Sequence, residues 1–577
     1  MAGSYWDAIT RQRVSRRRVL QGGAVAAGAA LVVGCGGGGG SSPTTPIAGV
    51  TPSKPAGGEH VLNAGGAPKA GGVYNLGTSV DFDTFDPHLS IAGGVGYFPR
   101  LYNAVINRSP RDATFRFDDL ASKLEQPDPV TYVFTLRDNV MVGPNQLGVP
   151  QRAIDGNDIK ATFDRIKKTP QSNGFAFVGD WIHNVEVSAD GKTVTITTPK
   201  PYGYFFFGIG SPLNLIAPRE LFEKPDQMKS ASAGGGPFVL NPGKYTEGQG
   251  ARLERNTTYY RKDAANKDAQ LPYIDGISVK IIADRSALRT AFQSQQIDQY
   301  TGQNVDDATA LNPGGQYVVN KDSTNTFIAF TMNPTKDPWK DDRVRQAAMY
   351  AINRQDYIDR VYKGEAKANG LVHWSLGDYA LPADELKTLQ PYDPKKSKDL
   401  IKAATGKDSV DITVTWPADS IIEEHNLHLP IWLQQMADAG FNVTKDPQAF
   451  GTWLDNYTNL KYDASLSLNQ IYETPQFELD FHHSEGPARN HIYAIGVGVL
   501  YPEVDKAIDD SKSVTDQAEQ VKKVQEAQRL IYSKGAAFLP IVTPYAFTLY
   551  QKYVKSIPVA LGAASERFLN TWYLDKA

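Results

Sequence analysis

Cysteine is all but missing: the 577 residues contain a single one, Cys35. No disulfide can form within the chain, and neither a cysteine-based metal site nor a thiol nucleophile is available to its body. Long apolar runs are missing too. The apolar-leaning stretch near the start, Val19 to Val33, is rich in Ala and Gly and falls short of the roughly 20 residues a spanning helix needs. Neither sign of charge dominates: 60 Lys and Arg stand against 63 Asp and Glu, a net charge of -3, and the body has no basic stripe, so nucleic acid is not expected as a partner. No G-x-S-x-G, H-E-x-x-H, Walker loop or Rossmann glycine motif occurs in the context it needs, so the chain does not read as an enzyme and calls for no cofactor. No fixed-period repeat is visible, which sets solenoids aside.

What is present begins with an export signal. A basic stretch, Arg11 to Arg18, precedes the small-residue apolar run, and Cys35 closes it, the anatomy of a leader that is cleaved. Ser15-Arg16-Arg17-Arg18-Val19-Leu20 resembles the twin-arginine export motif, carried by Arg16 and Arg17. Leu31-Val32-Val33-Gly34-Cys35 resembles a bacterial lipobox, which implies cleavage before Cys35 and diacylglycerol on its thiol; Val32 stands where Leu is commoner. Gly36 to Gly40, and the Ser, Pro, Thr, Gly and Ala that follow to about Ala70, cannot bury apolar surface and read as a disordered tether. About 35 such residues have a reach of roughly 30 Å. The expected location is the periplasm or the outer face of the cell membrane, lipid-anchored.

From Gly71 onward about 500 residues remain, more than one core holds, so two or three domains are expected. Helical and strand patterns alternate, which predicts a mixed α/β architecture. Strands are read at Gly72 to Gly77, Tyr132 to Leu136, Thr193 to Thr198 and Phe538 to Val542. A helix-like segment runs from Tyr97 to Ile106. Asp155 opens an amphipathic helix through Lys168, with Ile159, Phe163 and Ile166 on one face. The strongest helical pattern lies between Asp341 and Tyr362, where Val344, Ala347, Ala348, Ala351 and Ile352 form a stripe punctuated by Asn353-Arg354; a last long helix spans about Thr515 to Ser533.

Several segments, taken in order, resemble the family 5 extracytoplasmic solute-binding proteins, receptors of peptide and nickel ABC importers. Asp81-Phe82-Asp83-Thr84-Phe85-Asp86-Pro87 is similar to the turn after that family's opening strand. Phe117 to Ala121, Thr131 to Arg137 and Asn157 to Phe163 resemble its next stations, and Gly236-Pro237-Phe238 with Leu253 to Asn256 and Tyr259-Tyr260 resembles another. Ile297-Asp298 is similar to its "G-E-I-D". The most specific match is Asp341-Asp342-Arg343-Val344-Arg345-Gln346-Ala347 with Ala351-Ile352-Asn353-Arg354. Physically these motifs are structural: Arg343, Arg345 and Arg354 are expected to hold carboxylates or helix ends in place, and they report the fold rather than the ligand.

The resemblance implies an α/β, two-lobed periplasmic-binding-protein-like fold of the class II or cluster C type, with an extra inserted domain. Residues 1–34 are then the export signal and 35–70 the lipidated cysteine and tether; 71–107, 191–325 and 546–577 form lobe I, 108–190 the insertion and 326–545 lobe II. It also implies a monomer that captures a small-molecule solute by hinge closure and delivers it to permease and ATPase subunits. A peptide-like solute is the first expectation; a sugar or oligosaccharide, or a nickel chelate, is the alternative.

In peptide-binding relatives an aspartate of lobe II meets the peptide's α-ammonium group. The matching stretch here, aligned on Tyr472 and Pro475, places Ile471 at that position, so a buried amine has no counter-charge there unless Glu473 substitutes. Trp416, Phe450, Trp453, Tyr472 and Tyr493 are candidates for an aromatic lining, with Trp416 and Phe450 foremost, and Asn469, Gln470 and Glu473 for its hydrogen bonds. Glu424, His425 and His428, with Asp480, His482 and His483, form the nearest metal-like grouping; an exposed polar face is the expected explanation, and no metal site is assigned.

Overall fold

The computed structural model describes residues 61–63, 65–90, 96–108, 115–116, 118–263, 266–302, 305–324, 326–418, 423–470, 474–486, 494–558 and 573–575. Arg16, Arg17, Cys35, Ile471, Tyr472, Glu473 and Tyr493 lie outside them. The described residues fall into two compact units: unit 1 is Thr324–Tyr545, and unit 2 is the chain up to Ser323 together with the residues from Ala546. Among the described residues no helix is long and apolar enough to cross a membrane.

Unit 2 holds two larger sheets. In one, Gly276–Ile281 and Gln299–Gly302 pair in parallel with Val73–Thr78, and Gly250–Arg255 and the later half of Val542–Tyr550 add antiparallel neighbours. Asp298 fastens this sheet from within: it is fully buried and accepts from the Asn75 N–H and from the Tyr553 hydroxyl, each at 2.6 Å. The second sheet is antiparallel, in the order Ala121–Asp128, Thr131–Leu136, Thr193–Thr197, Asn184–Val187. Its last hairpin joins Asn184–Val187 to Thr193–Thr197 in the register Val185↔Ile196. Helix Gly156–Lys167 packs beside it, capped by Asp155 as its sequence predicts.

The helix expected over Tyr97 to Ile106 is a single turn, Phe98–Leu101. Tyr102 turns the chain extended, Asn103 bridges Ile216 and donates from Nδ2 to Asp119 at 2.7 Å, and the Gly236 N–H reaches the Leu101 carbonyl. Side chains on every side of this segment are buried, so pairing with other segments wins over the local helical preference. A Cβ on Gly236 would lie 2.6 Å from the Arg100 carbonyl oxygen, which is why glycine stands there.

Unit 1 is built on one mixed sheet. Its strands are β1 (Thr326–Met332), β2 (Val410–Pro417), β3 (Phe441–Gln448), β4 (Ala464–Gln470) and β5 (Phe538–Pro540), in the order β3-β2-β4-β1-β5. β2 is parallel to both β3 and β4, while β1 is antiparallel to β4 and β5. Its core is aromatic: Trp339 and Trp432 are fully buried, with Phe330 5.7 Å and 4.9 Å from their rings. The long helical pattern from Asp341 is two helices, Asp342–Ala351 and Arg354–Arg360, broken where the Asn353 side chain caps the second.

Arg345 is the buried pin of unit 1. With no exposed surface, its guanidinium donates to the carbonyls of Gly535 (2.7 Å), Lys534 (2.8 Å), Trp339 (2.5 Å) and Lys340 (2.9 Å). Lys534 and Gly535 end the long helix Gln517–Ser533, whose last carbonyls have no partner within the helix. Arg354 likewise donates to the Pro540 carbonyl, and Arg343 to Asp341 and to the Ala403 carbonyl at the end of helix Pro394–Thr405. Burial lowers the Arg345 pKa and brings Arg354 to about 10.

Three buried histidines are kept neutral. His482 is fully buried with no partner on either ring nitrogen, and burial lowers its pKa to about 3. His373, bonded to Ser375 Oγ (2.6 Å) and Thr543 Oγ1 (3.0 Å), is likewise lowered to about 3, by burial and then by Lys367. Burial also lowers His88.

Two outcomes follow from these contacts. Arg345→Leu leaves four carbonyls unpaired in the interior and is expected to cost about 3 kcal/mol in denaturant unfolding, against less than about 1 kcal/mol for Arg343→Leu on the surface; equal effects would contradict the assigned role. A histidine whose folded pKa is depressed binds fewer protons folded than unfolded, so its stabilisation is complete above the unfolded value near 6.5 and is lost as pH falls towards the folded value. Between pH 6.5 and 4.5 the His482→Phe variant should therefore lose stability less steeply than the parent, by up to about 1.4 kcal/mol per pH unit. Parallel curves would show that His482 is not neutral in the fold.

Candidate functional site

Parallel strands can be joined only by long crossovers, so in unit 1 the junctions after β2, β3 and β4 all come to one edge of the sheet. The register fixes what stands there. Pro417 at the end of β2 lies opposite Gln448 at the end of β3, and Gln470 at the end of β4 lies opposite Thr326 at the start of β1. Pro540, which ends β5, is level with Ala329 and hence with Ser467. Ligands of open α/β sheets collect at such carboxyl edges.

Of the residues expected from the sequence, Trp416, Phe450, Asn469 and Gln470 stand towards this edge, Trp416 level with Leu466 and Asn469 and Gln470 further out along β4. Trp416 is the penultimate residue of β2 and 6 % exposed; Phe450, half-buried, opens helix Phe450–Thr458 directly after β3. Trp453 sits one turn further on and faces inward at 5 % exposure. Its indole N–H donates to Ser465 Oγ (3.1 Å), and that hydroxyl donates to the Thr415 carbonyl (3.2 Å), which ties the helix to β2 and β4 at once. Trp453 is therefore the floor under Phe450, 5.9 Å away, rather than an exposed ring.

The sequence did not single out Tyr457, four residues after Trp453 and stacked on it at 5.1 Å. Its spacing was the available signal. The Tyr457 hydroxyl meets Thr331 Oγ1 (3.3 Å), accepts from Ser467 Oγ (3.2 Å) and donates to Asn469 Oδ1 (3.4 Å), while Asn469 Nδ2 donates to Ser467 Oγ (2.9 Å). The Asn469 carboxamide is thus oriented by the core before any ligand arrives. Burial raises the Tyr457 pKa, so the hydroxyl remains a neutral donor.

Beyond Gln470 the described chain resumes at Thr474, which caps helix Pro475–Asp480. Asp480 is fully buried and pairs with the buried Lys512 ammonium at 2.7 Å, which also reaches Asp509 at 3.2 Å. Phe481 stacks on Phe538 at 4.1 Å. Two packed groups thereby fix the end of helix Pro475–Asp480.

A second aromatic group stands beyond the start of β1. The Thr324 N–H donates to the Pro544 carbonyl, and Pro544 pairs with Ala366 in the short strand Ala366–Ala368. Lys367 lies with its ammonium 4.4 Å over the Trp374 ring, and Trp374 lies 5.9 Å from Tyr545. Nothing in sequence spacing joins residues 367, 374 and 545; the topology does.

Of the histidines expected on an exposed polar face, His428, His482 and His483 are instead interior, while the side chain of His425 lies outside those described. His428 stacks on Tyr357 at 4.8 Å with Nε2 2.7 Å from the Tyr362 hydroxyl, and His482 and His483 are buried as well. His482 lies edge-on to Phe538 at 6.2 Å, and His483 Nδ1 accepts from the Glu485 N–H at 2.9 Å. Among the described residues no group of three His, Cys, Asp or Glu side chains is placed to hold a metal ion. In unit 2, a polar recess lined by Asn103, Asp119, Tyr260 and Arg261 has room for little more than a water molecule.

Comparison with known proteins agrees with this architecture. Residues 118–485, well over half of the chain, match the family described as bacterial extracellular solute-binding proteins, family 5 middle. Di/tripeptide-binding protein 1 of Pseudomonas aeruginosa is 22 % identical over 456 residues, covering 74 % of this chain and 80 % of the relative. Two solved structures share the fold. The ABC transporter-associated periplasmic binding protein DppA of Helicobacter pylori, in complex with peptide STSA, superposes with a TM-score of 0.69 at 19 % identity over 88 % of this chain and 99 % of its own. The binding protein MoaA of A. tumefaciens R10, in complex with mannopinic acid, gives 0.67 at 22 % identity over 88 % and 100 %. Sheet order, arginine pins and sequence match converge, and the chain belongs to the family 5 bacterial extracellular solute-binding proteins, an extracytoplasmic family of receptors rather than enzymes.

Proposed function

We propose that this chain is the substrate-binding component of an ABC importer, capturing a peptide-like or other small organic solute at the carboxyl edge of the unit 1 sheet and delivering it to a membrane permease without changing it chemically. What supports this reading is that Trp416, Phe450, Asn469 and Gln470 all stand towards one edge of the sheet, with Asn469 pre-set by Tyr457 and Ser467. Rings give contact area, and an oriented amide gives direction at little entropic cost. The peptide-binding relatives favour a peptide. The aromatic-plus-amide lining suits a sugar equally well, which keeps a saccharide as the second reading.

In this reading the protein crosses the membrane already folded by the twin-arginine route, is cleaved ahead of Cys35, and remains at the membrane as a lipidated monomer on its tether. Capture proceeds by hinge closure, so affinity is reduced by however rarely the empty protein adopts the closed state.

Small-angle scattering against a panel of di- and tripeptides and mono- and disaccharides should show the radius of gyration falling with at least one of them; a constant radius throughout would remove closure. With that compound, calorimetry on Phe450→Ala should show at least tenfold weaker binding at unchanged thermal stability, and unchanged affinity would take the edge out of the site. Cys35→Ala should release the protein from the membrane fraction into the soluble one, and retention there would contradict the lipid anchor.

A further inference from the structure

Well before Ala70 the described chain is fastened to residues almost five hundred positions further on. Val61 and Leu62 pair antiparallel with Pro558 and Ile557, and the Asn63 carboxamide donates to the Lys552 and Val554 carbonyls at 2.7 and 2.6 Å. The Tyr573 hydroxyl donates to the Gly65 carbonyl, and the Lys69 ammonium meets the Asp575 carboxylate at 2.5 Å. Val554 and Lys555 pair in turn with Leu574 and Tyr573, and the Asp575 N–H donates to the Tyr553 carbonyl at 2.7 Å. Three short segments thus brace one another in a clasp. A segment as rich in Gly, Pro and Ala as 65–70 stays ordered only where contacts tie it down, and these contacts do so.

The clasp has a definite place on the larger sheet of unit 2. Val73–Thr78, Gly276–Ile281 and Gln299–Gly302 all run in one direction. The clasp leads into the first of them through Gly71 and Gly72, whose N–H groups donate to the Tyr273 carbonyl (2.8 Å) and the Asp275 carboxylate (3.0 Å), just ahead of the second. Tyr550, which ends the antiparallel strand Val542–Tyr550, stands opposite Gln299, and the Gln551 N–H donates to the Asp298 carbonyl at 3.1 Å, just ahead of the third. Every thread of the clasp therefore meets the sheet at its amino edge. The carboxyl edge, marked by Thr78, Ile281 and Gly302, lies a six-residue strand away, about 20 Å. That is the kind of edge at which ligands of open α/β sheets collect.

We propose that the clasp is the membrane-facing pole of unit 2: the lipidated chain is held by the amino edge of this sheet, and the carboxyl edge is presented to the solution. This rests on the lipid anchor at Cys35. Between Cys35 and Val61 lie 25 residues, and a chain of that length and composition has an r.m.s. reach of roughly 25 to 30 Å. That reach is close to the length of the strands, so the attached pole is on average the nearer one to the lipid, while a turn of the whole body stays possible.

The test puts one fluorescent donor, carried by an unnatural amino acid, either at Lys552 on the clasp or at Ala283 just beyond the carboxyl edge; both positions are exposed. Each full lipidated chain is reconstituted into phosphatidylcholine vesicles that carry a headgroup quencher, and each should melt within a few degrees of the unlabelled chain. Quenching is expected to be at least about twofold stronger at Lys552, because a strand length separates the two positions. Equal quenching, or stronger quenching at Ala283, overturns the membrane-facing pole while leaving the anchor in place. Added to the same vesicles, the Cys35→Ala chain should be quenched at neither position. If the parent chain is quenched at neither position, it is not held at the lipid, and anchor and pole fall together.

Discussion

The constraint on which this molecule turns is that parallel strands cannot be joined by a tight turn. Once β2, β3 and β4 run in one direction, every return must cross the sheet through a helix, and every strand-to-helix junction is delivered to the same edge. Residues as far apart in sequence as Trp416, Phe450 and Gln470 come towards the same edge for that reason alone. β1 and β5 complete the arrangement: β1 starts and β5 ends at this edge, so the stretches by which the chain enters and leaves unit 1 lie there too, joined by the Thr324 to Pro544 hydrogen bond. The proposed binding surface is a consequence of strand direction before it is a matter of particular side chains.

Holding each unit together falls to buried polar groups. In unit 1 Arg345 gathers four carbonyls around the end of one helix and the Lys512 and Asp480 pair anchors the helix that follows β4, while in unit 2 Asp298 accepts from a strand amide and a tyrosine. Each is costly to bury and costly to break, because removing one partner strands the other without water. Positions of this kind are the ones that identify the family in sequence. They speak for the scaffold, and a receptor can exchange its ligand-facing residues while keeping them.

That division explains what was legible in the sequence. Strands such as Tyr132 to Leu136, the Asp155-capped helix and the helix-end role of Arg345 and Arg343 depend on local spacing or on motifs, and they are found where expected. The helix read across Tyr97 to Ile106 was not, because its backbone partners, Ile216 and the glycines near 236, lie more than a hundred residues away and leave no trace in local periodicity. The histidines were misjudged for a related reason: polar residues on a helix suggest solvent, yet His428 is matched by Tyr357 and Tyr362 from another helix and the turn after it. At the edge, aromatic content pointed to Trp416, Phe450 and Trp453 together, but only the Ser465 hydrogen bond distinguishes Trp453 as floor. Lys367 and Trp374 were invisible to spacing, since the short strand that carries Lys367 is located by its pairing with Val542 to Pro544.

The central claim is that the molecule holds a dissolved guest and leaves it unchanged. Native mass spectrometry of the mature chain, purified gently from growing cells, tests it most directly. The account predicts one small organic molecule per protein, released on denaturation with the same mass that a fresh sample of that compound has before and after incubation with the protein. A protein that emerges empty and stays empty in nutrient extract, or a guest whose mass changes on contact, would contradict it.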